Sequence, residues 1–362
     1  MYTLLILYLQ YHWEGIPEYQ KELDTKAPPL SILIPARNEA QHIGPCLNSL
    51  RHSIKKCPNE VDVEIIVIDD HSTDATVLEI KKTQSPLIKL IQLKDQERGI
   101  NAHKKMALAA GLKQATGNYI IQLDADIRVT EKYIQTIASA ITTTQADMIA
   151  GPVLLSHNDN GFEAFQTLDM VGMMGLTAVG IHTAKWYLAN GANLIYRKGL
   201  VTFRDSELAS GDDVFAIQSA AKSGADITFL KSKDAAITTA AMHTIGDFYR
   251  QRIRWATKNK YSKNPKMVVV MAIPYLSAMM LVAHLPLAYF FGSLALVLGS
   301  FHLLSKLAMD YIYLSELSKF FRVEQSVKHF GYSGIAHILY LLVIGTLSFG
   351  VKQYEWKGRR VQ

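Results

Sequence analysis

The chain has 362 residues, of which 49% are hydrophobic and only 19% are charged, and its formal net charge is +6. At roughly 150 residues per domain, this length predicts more than one structural unit. The composition excludes intrinsic disorder, collagen-like repeats and coiled coil as the main architecture. The two cysteines exclude a disulfide scaffold, and we expect both thiols to be reduced and inert. The basic excess suits an anionic partner without identifying it.

The first apolar stretch, Met1–Tyr11, is too short to cross a membrane and lacks the basic flank of a secretory signal. We expect it to act as a partial membrane anchor, within a first segment 1–27. Residues 28–264 then alternate apolar runs with helical patterns, which predicts an α/β domain. The predicted strands are Leu30–Pro35, Val63–Asp69, Ile88–Leu93 and Asn118–Leu123, and the predicted helices are Glu39–His52, one from about Thr73, and Ala102–Ala115.

Charged residues follow three of these strands. They are Arg37-Asn38-Glu39, Asp69-Asp70 and Asp124-Ala125-Asp126. Ligands of parallel α/β sheets bind beyond the carboxyl ends of the strands, so these groups predict one site at one sheet edge.

Asp124 and Asp126 are two residues apart, so in an extended segment their carboxylates point the same way. Two such charges repel each other by about 4 kcal/mol at 4 Å and an effective dielectric of ~20. A shared divalent cation relieves that repulsion, and Mg²⁺ commonly links one or two carboxylates to substrate phosphates. Surface turns also produce this triplet, but here it follows a buried Ile-Ile strand, where charge is costly. We therefore expect a site for Mg²⁺ or Mn²⁺.

Two further acidic pairs, Asp69-Asp70 and Asp212-Asp213, precede predicted helices. Both could serve as helix caps, because Asp and Ser are favoured at that position. The alternative is chemical: a carboxylate after a strand can accept hydrogen bonds from a base or a ribose, and one of the second pair can act as a general base.

Gln251, Arg254 and Trp255 lie on one face of a predicted amphipathic helix. Arg can grip a diphosphate with two hydrogen bonds, and Trp offers a flat surface to a sugar ring. Anchoring at a membrane interface is the alternative. His243, a few residues earlier, is interpreted either as a metal ligand or as a structural residue.

A membrane region is predicted for residues 265–362. From Met267 to Ser305, 39 residues carry no formal charge, enough for two spans of ~20 residues at about 267–290 and 292–314. Lys306 and Asp310 fall in the second span, four residues apart, where they could pair. A third apolar run, 332–351, either spans the membrane or lies at its interface, because the basic residues around it disagree with the positive-inside rule. Lysines before the first span predict a cytosolic N-terminal domain in a multi-pass protein of the inner membrane.

Taken in order, these motifs resemble the membrane-bound family 2 glycosyltransferases, which include the cellulose, chitin and hyaluronan synthases. The matching segments are Ile34-Pro35-Ala36-Arg37-Asn38-Glu39, Val67-Ile68-Asp69-Asp70, Asp124-Ala125-Asp126, Gly191-Ala192-Asn193, Gly211-Asp212-Asp213 and Gln251-Arg252-Ile253-Arg254-Trp255.

The resemblance implies a GT-A fold (Rossmann-like, with a mostly parallel sheet), a nucleotide-sugar donor, a divalent metal and inversion at the anomeric carbon. Asp213 would be the catalytic base. The implied donor-binding residues are Pro35, Arg37, Glu39, Asp69, Asp70, Lys104 or Lys105, and Asp124; the metal ligands are Asp126 and Asp124; the acceptor and diphosphate residues are Asn193, Asp212, Gln251, Arg254 and Trp255. Asp212 stands where the family usually has Glu.

The expected acceptor is a lipid-linked or saccharide hydroxyl at the bilayer surface. Two or three spans are few for a self-contained polymer channel, so polymer export would need other membrane subunits. A nucleotidyltransferase and a catalytically inactive membrane scaffold with a nucleotide-binding domain remain alternatives. No motif supports nucleic-acid binding, and the basic residues cluster beside the apolar segments instead.

Overall fold

The computed structural model describes residues 1–58, 61–94, 103–156, 158–203, 212–259, 264–348, 350, 354–356 and 359–361. The helices are α1 Tyr2–Gly15, α2 Ile43–Lys56, α3 Thr76–Lys82, α4 His103–Gln114, α5 Tyr133–Thr144, α6 Gly161–His182, α7 Asp212–Lys222, α8 Ile245–Asn259, α9 Pro265–Phe291, α10 Ser293–Phe321 and α11 Phe330–Ser348. The strands are β1 Leu30–Ala36, β2 Val63–Asp69, β3 Ile88–Gln92, β4 Tyr119–Leu123, β5 Arg128–Val129, β6 Met148–Ala150, β7 Val153–Ser156, β8 Asn193–Arg197, β9 Ile227–Phe229, β10 Ile237–Ala240, β11 Tyr354–Trp356 and β12 Arg359–Val361.

The chain forms two compact units. The helical unit comprises Met1–Ile16, Leu155–Trp186 and Ala241–Tyr354, and the α/β unit comprises Pro17–Leu154, Tyr187–Ala240 and Glu355–Gln362. These units cut across the boundaries predicted after residues 27 and 264, because α1, α6 and α8 pack with the C-terminal helices.

A seven-stranded sheet with the order β3-β2-β1-β4-β8-β6-β9 forms the centre of the α/β unit. β2 and β4 pair in parallel with β1, whereas β8 runs antiparallel to β4 and β6. The side chains of Ile65, Ile66, Val67 and Ile68 are fully buried, as expected for a strand covered on both faces. The predicted α/β class with a mostly parallel sheet is therefore confirmed. A second sheet has the order β5-β10-β7.

All four predicted strands are present, and the strand predicted at Val63–Asp69 has the bounds expected. The helix predicted at Glu39–His52 was placed too early, since α2 begins at Ile43. The residues before it form a turn that is hydrogen-bonded to the loop after β2.

The helical unit contains α1, α6, α8–α11 and a 3₁₀ helix, Glu324–His329. A tight turn at Gly292, whose φ is +60°, separates α9 from α10 as predicted. The predicted pairing inside α10 is confirmed: Lys306 Nζ lies 2.5 Å from Asp310 Oδ2, with both side chains buried. The Tyr2 hydroxyl donates a hydrogen bond to the same carboxylate and so fastens α1 to α10.

Four segments of the described chain are long and apolar enough to cross a membrane: Gly161–His182, Pro265–Phe291, Ser293–Phe321 and Glu324–Ser348. Three of them correspond to the predicted spans. The fourth, α6, was not predicted as a span. In the structure most of its side chains are buried.

Candidate active site

Two loops join the carboxyl ends of β1 and β2 through side-chain hydrogen bonds. Arg37 Nη1 donates to the carbonyl oxygen of Asp70 over 2.7 Å, and the Asn38 side-chain oxygen accepts from the Thr73 amide over 2.8 Å. Asn38 and His71 have φ values of +51° and +56°, which non-glycine residues adopt rarely. Such backbone strain tends to occur at functional sites, where the surrounding contacts hold it in place.

Asp69 and Asp70 are each 3% exposed at the end of β2. The Asp70 carboxylate is 3.0 Å from Nδ1 of His71. Asp69 Oδ1 is buried and has no hydrogen-bond partner among the residues that the structure describes. Buried polar atoms are nearly always hydrogen-bonded, so this oxygen is a suitable acceptor for a ligand N–H or O–H group.

Asp124 and Asp126 follow β4 in a turn, not in the extended segment that the sequence predicted. Both are half-buried, while Ala125 between them is buried. The Lys104 Nζ atom lies 2.6 Å from Asp124 Oδ1. Thr239 Oγ1 donates a 3.0 Å hydrogen bond to Asp126 Oδ2. The Lys105 ammonium lies over the ring of Phe215.

Cys46, on α2, is a buried thiol near the carboxyl ends of β1 and β4. Burial raises its pKa to about 12; Arg128 opposes the shift, and Asp126, Asp124 and Glu39 add to it. These carboxylates come from the ends of two strands, β1 and β4. β1 and β4 are parallel neighbours in the sheet, so the residues that follow these two strands lie at the same edge.

Asp213 is held at this edge by the segment before β8. Its Oδ2 accepts a 3.0 Å hydrogen bond from the Gly191 amide, and its Oδ1 accepts one from the Val214 amide. Gln122 of β4 donates to the Gly191 carbonyl oxygen over 3.0 Å. Because Leu123 pairs with Asn193, residue 191 lies beside the point where β4 ends. Asp213 is thus brought to the edge that carries Asp124 and Asp126, through Gly191, whose part the sequence did not reveal.

Asn193 is fully buried, and its side-chain amide is used within the protein. Its nitrogen donates to the carbonyl oxygens of Pro152 and Ala235, and its oxygen accepts from the Tyr133 hydroxyl. The sequence predicted contact with the acceptor, and this burial does not support it. The side chain instead fixes the start of β8, and with it the Gly191 amide.

Two donor-binding residues predicted from the sequence, Pro35 and Glu39, are half-buried at the end of β1 and in the loop after it. The Glu39 amide donates to Thr76 Oγ1 over 2.7 Å, which ties this loop to the start of α3. Asp212 begins α7, and its side chain lies outside the described residues.

The motif Gln251-Arg252-Ile253-Arg254-Trp255 lies on α8, in the helical unit. Gln251, Arg254 and Trp255 are half-buried, and their contact with the substrate stays a prediction. Arg252, to which the sequence motif assigned no role, is 1% exposed, forms a 2.7 Å ion pair with Asp169 and stacks on the ring of Trp255. Its position four residues after Phe248 on the buried face of α8 was the available signal.

His243 was interpreted as a metal ligand or a structural residue, and the structure gives it a partner. Its Nδ1 lies 2.9 Å from Glu163 Oε1, at the start of α6. No group of three or more His, Cys, Asp or Glu side chains suited to a metal occurs in the described parts of the chain. Asp124 and Asp126 still fit a divalent ion, because Mg²⁺ commonly takes one or two carboxylates and completes its shell with substrate phosphates and water.

Two family models match the chain. Glycosyl transferase family 2 matches residues 31–201, and Glycosyl transferase family group 2 matches residues 119–350, more than half of the chain. Glycosyltransferase AglE of Haloferax volcanii is 26% identical over 206 residues, which cover 56% of this chain and 64% of that protein. Dodecaprenyl-phosphate galacturonate synthase of Rhizobium johnstonii is 28% identical over 122 residues, which cover 34% and 35%. This chain thus spans less than two thirds of the length of either relative.

The solved structure of mannosyltransferase PcManGT from Pyrobaculum calidifontis, in complex with GDP-Man and Mn²⁺, has the same fold. Its TM-score is 0.54 at 16% identity, with 92% of this chain and 99% of that chain covered. The predicted GT-A fold and the enzyme class, a glycosyltransferase, are confirmed, whereas kinship with the cellulose, chitin and hyaluronan synthases stays a prediction. The chain belongs to glycosyl transferase family group 2.

Proposed function

We propose that this protein transfers a sugar from a nucleotide-sugar, of which a UDP-sugar is the expected donor, to a hydroxyl of a lipid-linked or saccharide acceptor at a membrane. The reaction is a single displacement that inverts the anomeric carbon. The observation that carries the proposal is the sheet edge at which Asp69, Asp124, Asp126 and Asp213 lie together. Several carboxylates at one sheet edge suit a site for a cation and a diphosphate.

The donor half of the proposal rests on the loops after β1 and β2. Asp69 Oδ1, buried without a partner among the described residues, would accept a hydrogen bond from the nucleobase. Arg37 holds the backbone of this pocket by its bond to the Asp70 carbonyl oxygen. Lys104, beside Asp124, supplies a positive charge where a diphosphate would lie.

Asp213 is proposed as the general base. It removes the proton from the acceptor hydroxyl as that oxygen forms a bond to the anomeric carbon, while the bond from this carbon to the diphosphate oxygen breaks. The two backbone amides that bond its carboxylate fix its orientation. Asp126 and Asp124 would hold a Mg²⁺ or Mn²⁺ ion, which neutralises charge on the departing diphosphate. The Mn²⁺ in the mannosyltransferase structure supports this choice.

The acceptor half rests on the helical unit. Its four helices of membrane-spanning length and composition support a multi-pass protein, and the galacturonate synthase relative is named for dodecaprenyl phosphate. We propose that the protein lies in the inner membrane with its α/β unit in the cytosol, and that Gln251, Arg254 and Trp255 serve the acceptor and diphosphate. Polymer export would need further membrane subunits.

The test uses membranes that contain the full chain, Mg²⁺ or Mn²⁺, and a panel of labelled UDP- and GDP-sugars, followed by lipid extraction. Label in the organic phase identifies a lipid acceptor, and label in an insoluble fraction identifies a polysaccharide. Transfer that needs the metal and releases the nucleoside diphosphate supports the proposal. Release of pyrophosphate would favour a nucleotidyltransferase, and absence of transfer from every donor by folded protein would overturn the proposal.

A further inference from the structure

Thr239, on β10, contacts one of the two carboxylates proposed to hold the metal. Its Oγ1 donates a 3.0 Å hydrogen bond to Asp126 Oδ2, and both residues are half-buried. This is the one hydrogen bond that the Asp126 side chain forms with the described residues. The sequence analysis gave Thr239 no role, because 113 positions separate it from Asp126 along the chain.

The pairing of β10 with β5 explains why this hydroxyl and this carboxylate meet. The two strands are antiparallel, with Ile237 opposite Val129. Continuing that register places Thr239 opposite Ile127, which is the residue next to Asp126. Ile237 and Ile127 are both fully buried, so the two segments are anchored in the core at this point.

The same packing leaves the Asp126 side chain as the part that still has to be oriented. Its neighbours along the chain, Ala125 and Ile127, are 2% and 0% exposed, so the backbone between them is held in place. The Thr239 hydroxyl then restrains the rotation of the carboxylate by binding one of its oxygens. A ligand group that is oriented in advance loses less conformational entropy when it binds an ion.

The other carboxylate of the pair is held by a charge and not by a hydroxyl. Lys104 Nζ lies 2.6 Å from Asp124 Oδ1, so the lysine partly neutralises that carboxylate. The Thr239 hydroxyl is neutral, and it orients Asp126 while leaving the negative charge available to a cation. Hydrogen bonds from residues behind a metal ligand commonly set both its orientation and the metal affinity.

We propose that Thr239 is a positioning residue for Asp126, and that its hydroxyl raises the affinity of the acidic edge for a divalent ion. This inference rests on the metal site of the proposed function, because Thr239 acts through Asp126. Losing the hydroxyl should weaken metal binding about tenfold, since removing such an outer contact typically costs roughly 10–100-fold in affinity.

The test measures Mn²⁺ affinity directly. Mn²⁺ is titrated into the full chain in detergent, with UDP and separately with GDP, and the electron paramagnetic resonance signal of free Mn²⁺ reports the unbound fraction. Thr239→Val keeps the size and branching of the side chain but removes the hydroxyl, so it should bind Mn²⁺ about tenfold more weakly. Thr239→Ser keeps the hydroxyl and should bind Mn²⁺ as the wild type does.

Thr238→Val is the matched control. Thr238 is the adjacent residue of β10 and is also half-buried, but its side chain points to the opposite face of the strand. This change should leave the Mn²⁺ affinity unchanged. Circular dichroism shows whether each variant is folded, and Thr239→Ala is used as the second variant without the hydroxyl.

Equal Mn²⁺ affinity in the wild type and Thr239→Val would overturn the inference and leave the metal site itself in place. Equal weakening in Thr239→Val and Thr239→Ser, or in Thr239→Val and Thr238→Val, would also overturn it, because the loss would then not depend on the hydroxyl. A wild-type chain that binds no Mn²⁺ with either nucleotide would contradict the proposed function, and this inference with it.

Discussion

The two units use buried charge in opposite ways. At the sheet edge of the α/β unit, carboxylates gather: Asp69, Asp70, Asp124, Asp126 and Asp213 lie there, and Lys104 pairs with one of them, Asp124. In the helical unit, opposite charges are matched within the protein: Arg252 with Asp169, and Lys306 with Asp310. Gathered like charge costs free energy and indicates a ligand, whereas a matched pair limits the cost of burial. Removing a charge should therefore affect activity in the first unit and stability in the second.

The largest expected effect concerns Asp213. Asp213→Asn keeps the side-chain shape but removes the base, so transfer should fall by about 10²–10⁴-fold. Initial rates of sugar transfer measure the catalytic step, and calorimetry measures donor binding. The donor affinity should change little.

The matched control is Asp226→Asn, an exposed aspartate elsewhere in the same unit, which should keep wild-type rates. If Asp213→Asn transferred sugar normally, Asp213 could not be the base.

The helical unit should respond to Asp169→Asn by losing stability, because the change leaves the Arg252 charge buried without its partner. Breaking such a pair costs about 3–5 kcal/mol. Denaturant unfolding of the full chain in detergent, followed by circular dichroism, measures the loss.

Asp247→Asn is the comparison, since Asp247 forms an exposed pair with Arg250, and losing such a pair should change the unfolding free energy little. Equal losses of unfolding free energy in the two variants would show that the buried pair stabilises the protein no more than the exposed pair does.

The α/β unit also contains a matched charge, Glu64, which pairs with Lys89. It lies near the start of β2, at the opposite end of the strand from the acidic edge. Burial would raise its pKa, but Lys89 and the hydroxyls of Ser31 and Thr116 outweigh burial and lower it from 4.5 to about 2. The folded state thus favours the ionised form. Its stabilisation is complete above pH ~4.5 and disappears as the pH falls towards 2.

Glu64→Gln should therefore lower the unfolding free energy at pH 7, and the difference from wild type should shrink steadily between pH 4.5 and 2.5. Denaturant titrations at several pH values measure it. A difference independent of pH would mean that the side chain acts by shape and not by charge.

The smallest effect separates the two cysteines. Cys46 is buried with its pKa raised to about 12, whereas Cys57 is half-buried. Iodoacetamide at pH 8 should modify Cys57 in the folded protein and both residues after unfolding, as intact mass would show. Fast modification of Cys46 in the folded state would mean that the structure around this thiol opens to solvent.

Much of this organisation could be predicted from local patterns. The continuous run Val63–Asp69 identified a buried strand, and the spacing of Lys306 and Asp310 predicted their pairing. The sequence could not show that Gly191 and Asn193 hold Asp213 in place, because those contacts join segments distant along the chain. Nor could the sequence show that α6 belongs to the helical unit, because its Glu163 and Asp169 contact His243 and Arg252, which lie about 80 residues further along the chain.

The central claim is that the acidic edge of the α/β unit binds a nucleoside diphosphate together with a divalent ion. Calorimetry of the full chain with UDP and with GDP, in Mn²⁺ and after its removal by chelation, tests this most directly. We expect one nucleotide to bind in Mn²⁺ at least about tenfold more tightly than without metal, a difference that Asp126→Asn removes and Asp226→Asn retains. Equal affinity with and without Mn²⁺, or an unchanged metal effect in Asp126→Asn, would contradict the account.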